Sequence, residues 1–398
     1  MKWGHCKEGF HNHVVLALLV NREGLPFYWG VLPGNTADTK TLTWLLDQVK
    51  IRFKVTQTTL IFDRGMVSDD NLTSLEQAKI KYISAQDKDQ REGITRFDLT
   101  QFSHFREEKI HQQVSSMKEF IKLDDNTWYR EVMTKGERRY ILGFNSELFK
   151  ETRKARQKAV ATFRVYVDNL NEQLRMAKRT RQNKPTYEKF KRQLIKTKLN
   201  TFVDVKLSLL HIKLKAQEET IRTSQASVQV DEKAMLRAGK LDGFWLLVTN
   251  HAEKSGSVFK INPSYIITSY RDKVVIESSF RDLKSFIEIK PIYVWTPTHV
   301  KAHYTCCVLS HLINRTLSLR LHQHEGCISR EIVTHEKLYK KLTDCQINQI
   351  KVENTSLSTY SMTRPNREQK ELLERIRLSV LLSPEVVKKA RKRSIFNG

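Results

Sequence analysis

Between Val14 and Ala85 apolar runs and helical spacings follow one another in an order that leaves few folds open. Val14 to Val20 is a short apolar run, Asn21-Arg22-Glu23-Gly24 reads as a turn, and Leu25 to Leu32 is a second run. Together they predict a β-hairpin, which Pro33-Gly34-Asn35 stops. Asp38 stands where a helix would start, with Leu42, Leu45, Leu46 and Val49 at helical spacing behind it. Thr58 to Phe62 predicts a compact strand that ends at Asp63-Arg64-Gly65. Ser68 is placed to cap a second helix running to Ile80, and Lys81 to Ala85 predicts another strand. Strand, helix, strand in this rhythm calls for parallel pairing through right-handed crossovers, so the expected class is α/β.

Downstream the pattern changes. From about Ser103 to Asn145 it is strand-like and mixed, and from Glu147 to about Leu199 it is helical and strongly basic. Residues 150–200 hold sixteen Lys and Arg against four acids, a net +12, about half of the +25 formal charge of the 398-residue chain. A surplus of that size favours polyanions, chiefly nucleic acid, whose binding gains from counterion release. The plain alternative for this segment is a solvated helical arm. Thr201 to Asn250 returns to strand-like runs, such as Val203–Val205–Leu207–Leu209 and Phe244 to Val248. A long helix is predicted over Pro263 to Ile287, broken by Pro291 and Pro297, and a second over Thr298 to Arg320. The tail from Thr363 is helical in part and ends in the basic run Lys388-Lys389-Ala390-Arg391-Lys392-Arg393. The five cysteines form no CxxC pair, which suits a reducing cytosol. No apolar run reaches membrane-spanning length. Neither a Walker A nor a GxGxxG pattern occurs, so no nucleotide cofactor is expected.

Two places carry candidate chemistry. Asp63 ends an apolar strand, and in open α/β sheets ligands bind at the carboxyl ends of strands, where a carboxylate can hold a metal. An Asp before Arg-Gly can equally be a turn residue. On the helix predicted over Pro263 to Ile287, Tyr270, Lys273, Glu277 and Lys284 lie at offsets 0, +3, +7 and +14, which puts one acid, two bases and a phenol on one face. The competing reading is an exposed face with Lys273–Glu277 and Glu277–Arg281 ion pairs, each worth only about 0.3–0.5 kcal/mol. His11 and His13, and the pair His299 and His303, lack a further ligand at zinc spacing, and structural roles are expected for them.

The run Tyr270-Arg271-Asp272-Lys273-Val274-Val275-Ile276-Glu277-Ser278-Ser279-Phe280-Arg281-Asp282-Leu283-Lys284 resembles the Y-(2)-R-(3)-E-(6)-K signature of a large group of bacterial insertion-sequence DDE transposases. Lys273 stands where the signature has Arg, which keeps the charge and loses the bidentate fork for phosphate. Leu60-Ile61-Phe62-Asp63-Arg64-Gly65-Met66-Val67 is similar to the region of the second catalytic Asp. Pro33-Gly34-Asn35-Thr36-Ala37-Asp38 and Pro291-Ile292-Tyr293-Val294-Trp295-Thr296 resemble stretches in one branch of these enzymes. The resemblance runs from about Gly4 to the 320s.

The resemblance implies an RNase H-like mixed sheet flanked by helices and interrupted by a mixed strand and helix insertion. It implies two-metal phosphoryl transfer with Mg²⁺ or Mn²⁺, in which Asp63 is the second acid and Glu277 the third. Tyr270, Arg271, Lys273, Arg281 and Lys284 would contact DNA phosphates. Trp245 resembles a strand Trp that stacks on a flipped base in relatives, with a core Trp as the alternative. The partners implied are transposon ends and target DNA, with a homodimer in the synaptic complex, in the bacterial cytoplasm at the nucleoid and with no membrane. The expected division is 1–102 as the first part of the core, 103–242 as the insertion, 243–325 as the C-terminal part of the core, and 326–398 as a basic tail region. Only two strands are predicted ahead of Asp38, where the fold has three, and the acids there are Glu8 and Glu23, neither an Asp on a strand. The expectation is therefore a copy lacking the strand that bears the first catalytic Asp. Three functions stay open: a transposase that cuts transposon ends and joins 3′-hydroxyls to target DNA, an inactive DNA-binding fragment of one, and a host nuclease of the same fold.

Overall fold

A computed structural model describes residues 2–6, 9–53, 58–87, 102, 104–135, 138–213, 220–322, 334–351, 358–383 and 385. Glu8 and the basic run Lys388–Arg393 lie outside the described residues. The chain divides into two compact units, one of residues 1–45 and 271–398 and the other of residues 46–270.

In the first unit β1 (Lys2–Cys6), β2 (Gly9–Val20) and β3 (Pro26–Pro33) form an antiparallel sheet in that order. The predicted β2–β3 hairpin is present. Its turn closes on Asn21, whose Oδ1 accepts from the N–H groups of Glu23 and Leu25, at 3.0 and 2.9 Å. β1 corrects the expectation of two strands ahead of Asp38: there are three. Lys2–Cys6 and Gly9–His13 are polar and rich in His, so their side chains give no strand signal. Backbone pairing from Lys2↔His13 to Cys6↔Gly9 extends the hairpin instead. None of the three strands carries an Asp or Glu. Val14, Leu16, Leu18 and Val20, alternate residues of β2, face one core, as a two-residue period requires. α1 (Asp38–Phe53) follows and buries the expected Leu42, Leu45, Leu46 and Val49.

The second unit is built on a mixed sheet. β4 (Thr59–Phe62), α2 (Asp69–Gln77) and β5 (Lys81–Gln86) make the predicted strand–helix–strand unit, with β4 and β5 parallel. Ser68 caps α2, its Oγ accepting from the N–H of Asn71. After α3 (Ile110–Ser115) come β6 (Ile121–Lys122), β7 (Thr127–Lys135) and β8 (Arg138–Asn145). Next are α4 (Ser146–Arg175), α5 (Asn183–Lys196), β9 (Val203–Lys213), β10 (Thr220–Val230), α6 (Glu232–Ala238) and β11 (Phe244–Thr249). The small hairpin of β12 (Lys254–Ser255) and β13 (Val258–Phe259) leads to α7 (Pro263–Arg271). The six-stranded sheet runs β4-β5-β11-β8-β7-β6, so strands from 121–145 and from 244–249 continue the β4–β5 pair. Its two faces carry separate cores. Trp128, Leu142, Phe144, Phe244 and Leu246 lie on one, and Tyr129, Ile141, Leu247, Ile83, Ile266 and Ile267 on the other. The basic segment forms a satellite with its own core: Val160, Phe163, Val167 and Leu170 recur every three or four residues along α4 and pack with Phe190, Leu194, Val203 and Val205.

The first unit resumes with α8 (Val274–Ser285), α9 (Pro297–His322), α10 (His335–Leu342), the hairpin of β14 (Ile347–Lys351) and β15 (Ser358–Met362), and α11 (Arg367–Arg375). Leu283 of α8 and Val300, Tyr304 and Val308 of α9 close the core under β2. The helix expected over Pro263 to Ile287 is two helices. The break falls at Asp272–Lys273, where the N–H groups of Val275 and Ile276 reach back three residues rather than four, to Asp272 and Lys273. Asp272 is held outward by Arg22 at 3.1 Å, and the β-branched pair Val274–Val275 follows, both poor for an unbroken helix. The fold as a whole is mixed α/β, a mixed sheet flanked by helices, consistent with the RNase H-like class.

Candidate active site

Asp63 stands one residue beyond β4, at the carboxyl end of a strand paired in parallel with β5. Its backbone is still extended, and its carboxylate accepts from the N–H of Arg64 at 2.8 Å, capping the short 3₁₀ turn Arg64–Met66. The residue is exposed. Asp63 is therefore a cap whose residue stays exposed at the end of a strand in the second unit.

Glu277 belongs to the first unit. It lies in the first turns of α8 with its side chain 58% exposed, and Oε1 is 3.6 Å from Nζ of Lys273, which is mostly buried. A pair this open to water is worth about 0–1 kcal/mol, so it does not lock the carboxylate. Glu277 and Lys284 remain on one face of α8, seven residues apart. Tyr270 does not share that helix. It is the penultimate residue of α7, and its ring packs partly buried on the core of the mixed sheet. Arg271, Arg281 and Lys284 are exposed. The structure thus pairs Lys273 with Glu277 within the first unit, while Tyr270 belongs to the second.

Trp245 sits on β11 opposite Gly143 of β8. Its indole covers Gly143 so closely that a Cβ there would lie only 1.9 Å from the nearest ring atom, and the side chain is half-buried against the core of that face. Part of the Trp245 side chain stays open to solvent, so packing and stacking are both compatible with its place. The basic segment has a cavity of about 880 Å³ at the α4–α5 elbow, lined by Lys178, Arg179, Arg181 and Lys189 and by no acid. Thr180 and Arg181 run beside β10, the N–H of Arg181 donating to the carbonyl of Arg222 at 2.9 Å. This fixes cations of the elbow to a rigid strand.

Two clusters carry no signal in the sequence. Asp282, five residues after Glu277 and on a buried face of α8, meets His311 Nδ1 of α9 at 2.5 Å and His335 Nε2 of α10 at 3.1 Å. Burial works to raise the Asp282 pKa. The hydrogen bond with His311 and the charges of His335 and His311 outweigh it and hold the carboxyl below its usual range. In the second unit Asp242, at the entrance to β11, takes both guanidinium nitrogens of Arg156, at 2.7 and 2.6 Å, with Arg153 at 3.7 Å. The i,i+3 spacing of the two arginines on α4 marks their common face, but nothing in sequence joins them to a residue nearly ninety positions away.

Among the described residues no group of three or more His, Cys, Asp or Glu converges as a metal site. Asp63 and Glu277 are nevertheless exposed oxygen donors of the hard kind that Mg²⁺ and Mn²⁺ prefer. No helix of the described residues is long and apolar enough to cross a membrane. No curated protein matches this chain. Residues 1–304 match the family profile described as Transposase DDE domain, a family that acts on DNA and generally uses divalent metal, and the chain belongs to the DDE transposases.

Proposed function

We propose that this chain acts at transposon ends, cutting them and joining their 3′-hydroxyls to target DNA, with Asp63 and Glu277 as two of its metal-binding carboxylates. The observation that carries the reading is the place of Asp63, at the carboxyl end of β4 in the parallel β4–β5 pair, where open α/β sheets put their ligands. Mg²⁺ or Mn²⁺ bound there would activate the attacking oxygen and stabilise the leaving one. The chain's own groups do the rest. Glu277, held only by a weak exposed pair, is available as a ligand. Lys273, Lys284, Arg271 and Arg281 neutralise phosphates, and Tyr270 lends a phenol near the start of the same run. The cations of the α4–α5 elbow grip the duplex more broadly. We take the working form to be a homodimer that brings two ends together in the bacterial cytoplasm.

One observation favours a second reading, DNA binding without efficient cleavage. The strands β1 to β3 carry no Asp or Glu, so the first carboxylate of a two-metal site has no residue on them. The test is a cleavage assay in Mg²⁺ or Mn²⁺ on DNA carrying the element's own ends, beside a binding measurement on the same DNA. Slow cleavage that Asp63→Asn and Glu277→Gln both abolish, with binding intact, is the expected result. Cleavage that survives both substitutions would refute the assignment of these carboxylates. Binding without any cleavage would establish the second reading.

A further inference from the structure

Glu277 is carried by a short helix, and whatever fixes the rotation of that helix decides where the carboxylate points. α8 has 12 residues, with the tightened backbone at Asp272–Lys273 before it and irregular chain over 286–296 after it. Its apolar side, with Ile276, Phe280 and Leu283, packs on the core under β2. Apolar packing has no direction of its own, so small rotations cost it little. Side-chain ends lie about 5–6 Å from a helix axis, where a turn of about 10° moves a carboxylate by about 1 Å. A reactive constellation has to be held to within about 0.5 Å, so a directional tie is needed as well.

Asp282 supplies one. It follows Glu277 by five residues, which places it about 140° around the helix and about 7.5 Å along it, on the buried side. Its carboxylate lies 2.5 Å from His311 Nδ1 of α9 and 3.1 Å from His335 Nε2 of α10, and all three side chains are largely buried. The Nδ1 of His335 shares a hydrogen bond with Ser318 Oγ of α9 at 3.2 Å. Phe286, just past α8, meets the His335 ring edge-on and stacks on Tyr339, whose hydroxyl donates to Asn314 Oδ1 of α9 at 2.9 Å. A buried polar network of this kind specifies one arrangement where apolar contact would accept several. α10 is itself anchored, because Leu338 packs with Leu317 and Leu321 of α9 and Leu372 and Leu373 of α11. His335 lies in the stretch expected from sequence to be a basic tail, beyond residue 304, the last that the family profile matches.

We propose that His335 is a positioning residue for Glu277: through Asp282 it fixes the rotation of α8, so that α10 sets how well the Glu277 carboxylate binds a divalent metal. The inference rests on Glu277 being a metal ligand, as proposed above, and its test separates the two. Mn²⁺ affinity of the full chain is measured by electron paramagnetic resonance of free Mn²⁺, and stability by urea unfolding. The proteins compared are the unsubstituted chain, Glu277→Gln, His335→Ala, His335→Gln, Ser318→Ala and Val300→Ala. Removing a group that orients a metal ligand typically weakens binding by about 10- to 100-fold; His335 acts at one remove, and a loss of about 10-fold is expected for His335→Ala. His335→Gln keeps an amide nitrogen that can reach Asp282 and should recover most of that loss. Ser318→Ala takes away the other partner of the His335 ring; it should weaken Mn²⁺ binding less, and it carries the test if His335→Ala does not fold. Val300→Ala leaves a void in the core under β2 and should lower stability with Mn²⁺ affinity unchanged. An affinity that neither His335→Ala nor Ser318→Ala moves, while Glu277→Gln weakens it, refutes the positioning role alone. A Mn²⁺ loss in Val300→Ala that matches its loss of stability would make His335 a packing residue and refute the role too. Unaltered affinity in Glu277→Gln refutes Glu277 as a ligand, and the positioning role with it.

Discussion

Gly143→Ala tests whether Trp245 is a packing residue or a stacking one. The substitution adds a single methyl in the middle of the sheet, where β8 pairs with both β7 and β11. On backbone grounds it should help, because Gly in a strand interior is about 0.5–1 kcal/mol worse than Ala. Here the methyl would lie only 1.9 Å from the nearest atom of the six-membered ring of Trp245. To reach ordinary carbon–carbon contact at about 3.5 Å, the indole must retreat by roughly 1.5 Å. Overpacking of that kind costs about 1–3 kcal/mol, so the expected net effect is a loss of about 1–2 kcal/mol. The double-mutant cycle with Trp245→Ala isolates the clash. Without the ring, Gly143→Ala should become neutral or gain the backbone term, giving a coupling of about 1–3 kcal/mol. Urea unfolding reads this as a shift of midpoint at constant slope. An alanine that costs nothing in the presence of Trp245, or the same in both backgrounds, would refute the reasoning. The indole would then be free to leave Gly143, and stacking on a base would return as its role.

Three further outcomes follow from particular side-chain pairings. Asp242→Ala should destabilise the second unit by about 3–5 kcal/mol in the same urea assay, because it strands the largely buried guanidinium of Arg156 together with that of Arg153; a loss below 1 kcal/mol would show that water reaches the pair. The Asp282 carboxyl has a folded pKa below its unfolded value of about 3.9, so the stability it adds is complete above that value and fades as pH falls through the folded one. Asp282→Asn should accordingly flatten the acid limb of stability against pH below about 4, and an unchanged limb would place the effect elsewhere. Charge reversal of Arg175, Arg179 and Arg181 should weaken duplex binding across sequences and reduce the slope of log affinity against log salt by about 0.9 for each phosphate no longer neutralised; an unaltered slope would make the α4–α5 elbow a solvated arm.

Much of this fold can be read along the chain because its signals are local. The β2–β3 hairpin follows from two apolar runs around an Asn-to-Gly turn, α2 from Ser68 as its cap, and the parallel β4–β5 pair from strand, helix and strand in sequence. Asp63 stands out for the same reason: a carboxylate directly after a short apolar run sits at a strand end whatever the strand pairs with. β1 is not legible because its residues are polar, and its strand character comes from hydrogen bonds to β2 alone. The break between α7 and α8 is hidden because periodicity continues across it, and only the tie from Arg22 to Asp272 and the tightened backbone at Asp272–Lys273 reveal it.

The sequence by itself determined what depends on neighbours along the chain: the α/β class, the basic satellite, the family signature around Glu277, and the strand-end place of Asp63. Tertiary structure decided what depends on partners far apart in number. It set Trp245 against Gly143, gave Asp282 its two histidines and Asp242 its two arginines, and packed Ile292 and Val294 so that Tyr293 and Trp295 stand in water. The division has a physical cause. Periodicity, caps and turns are short-range constraints written in a few adjacent residues, whereas burial and pairing between distant side chains exist only once packing has chosen which surfaces meet.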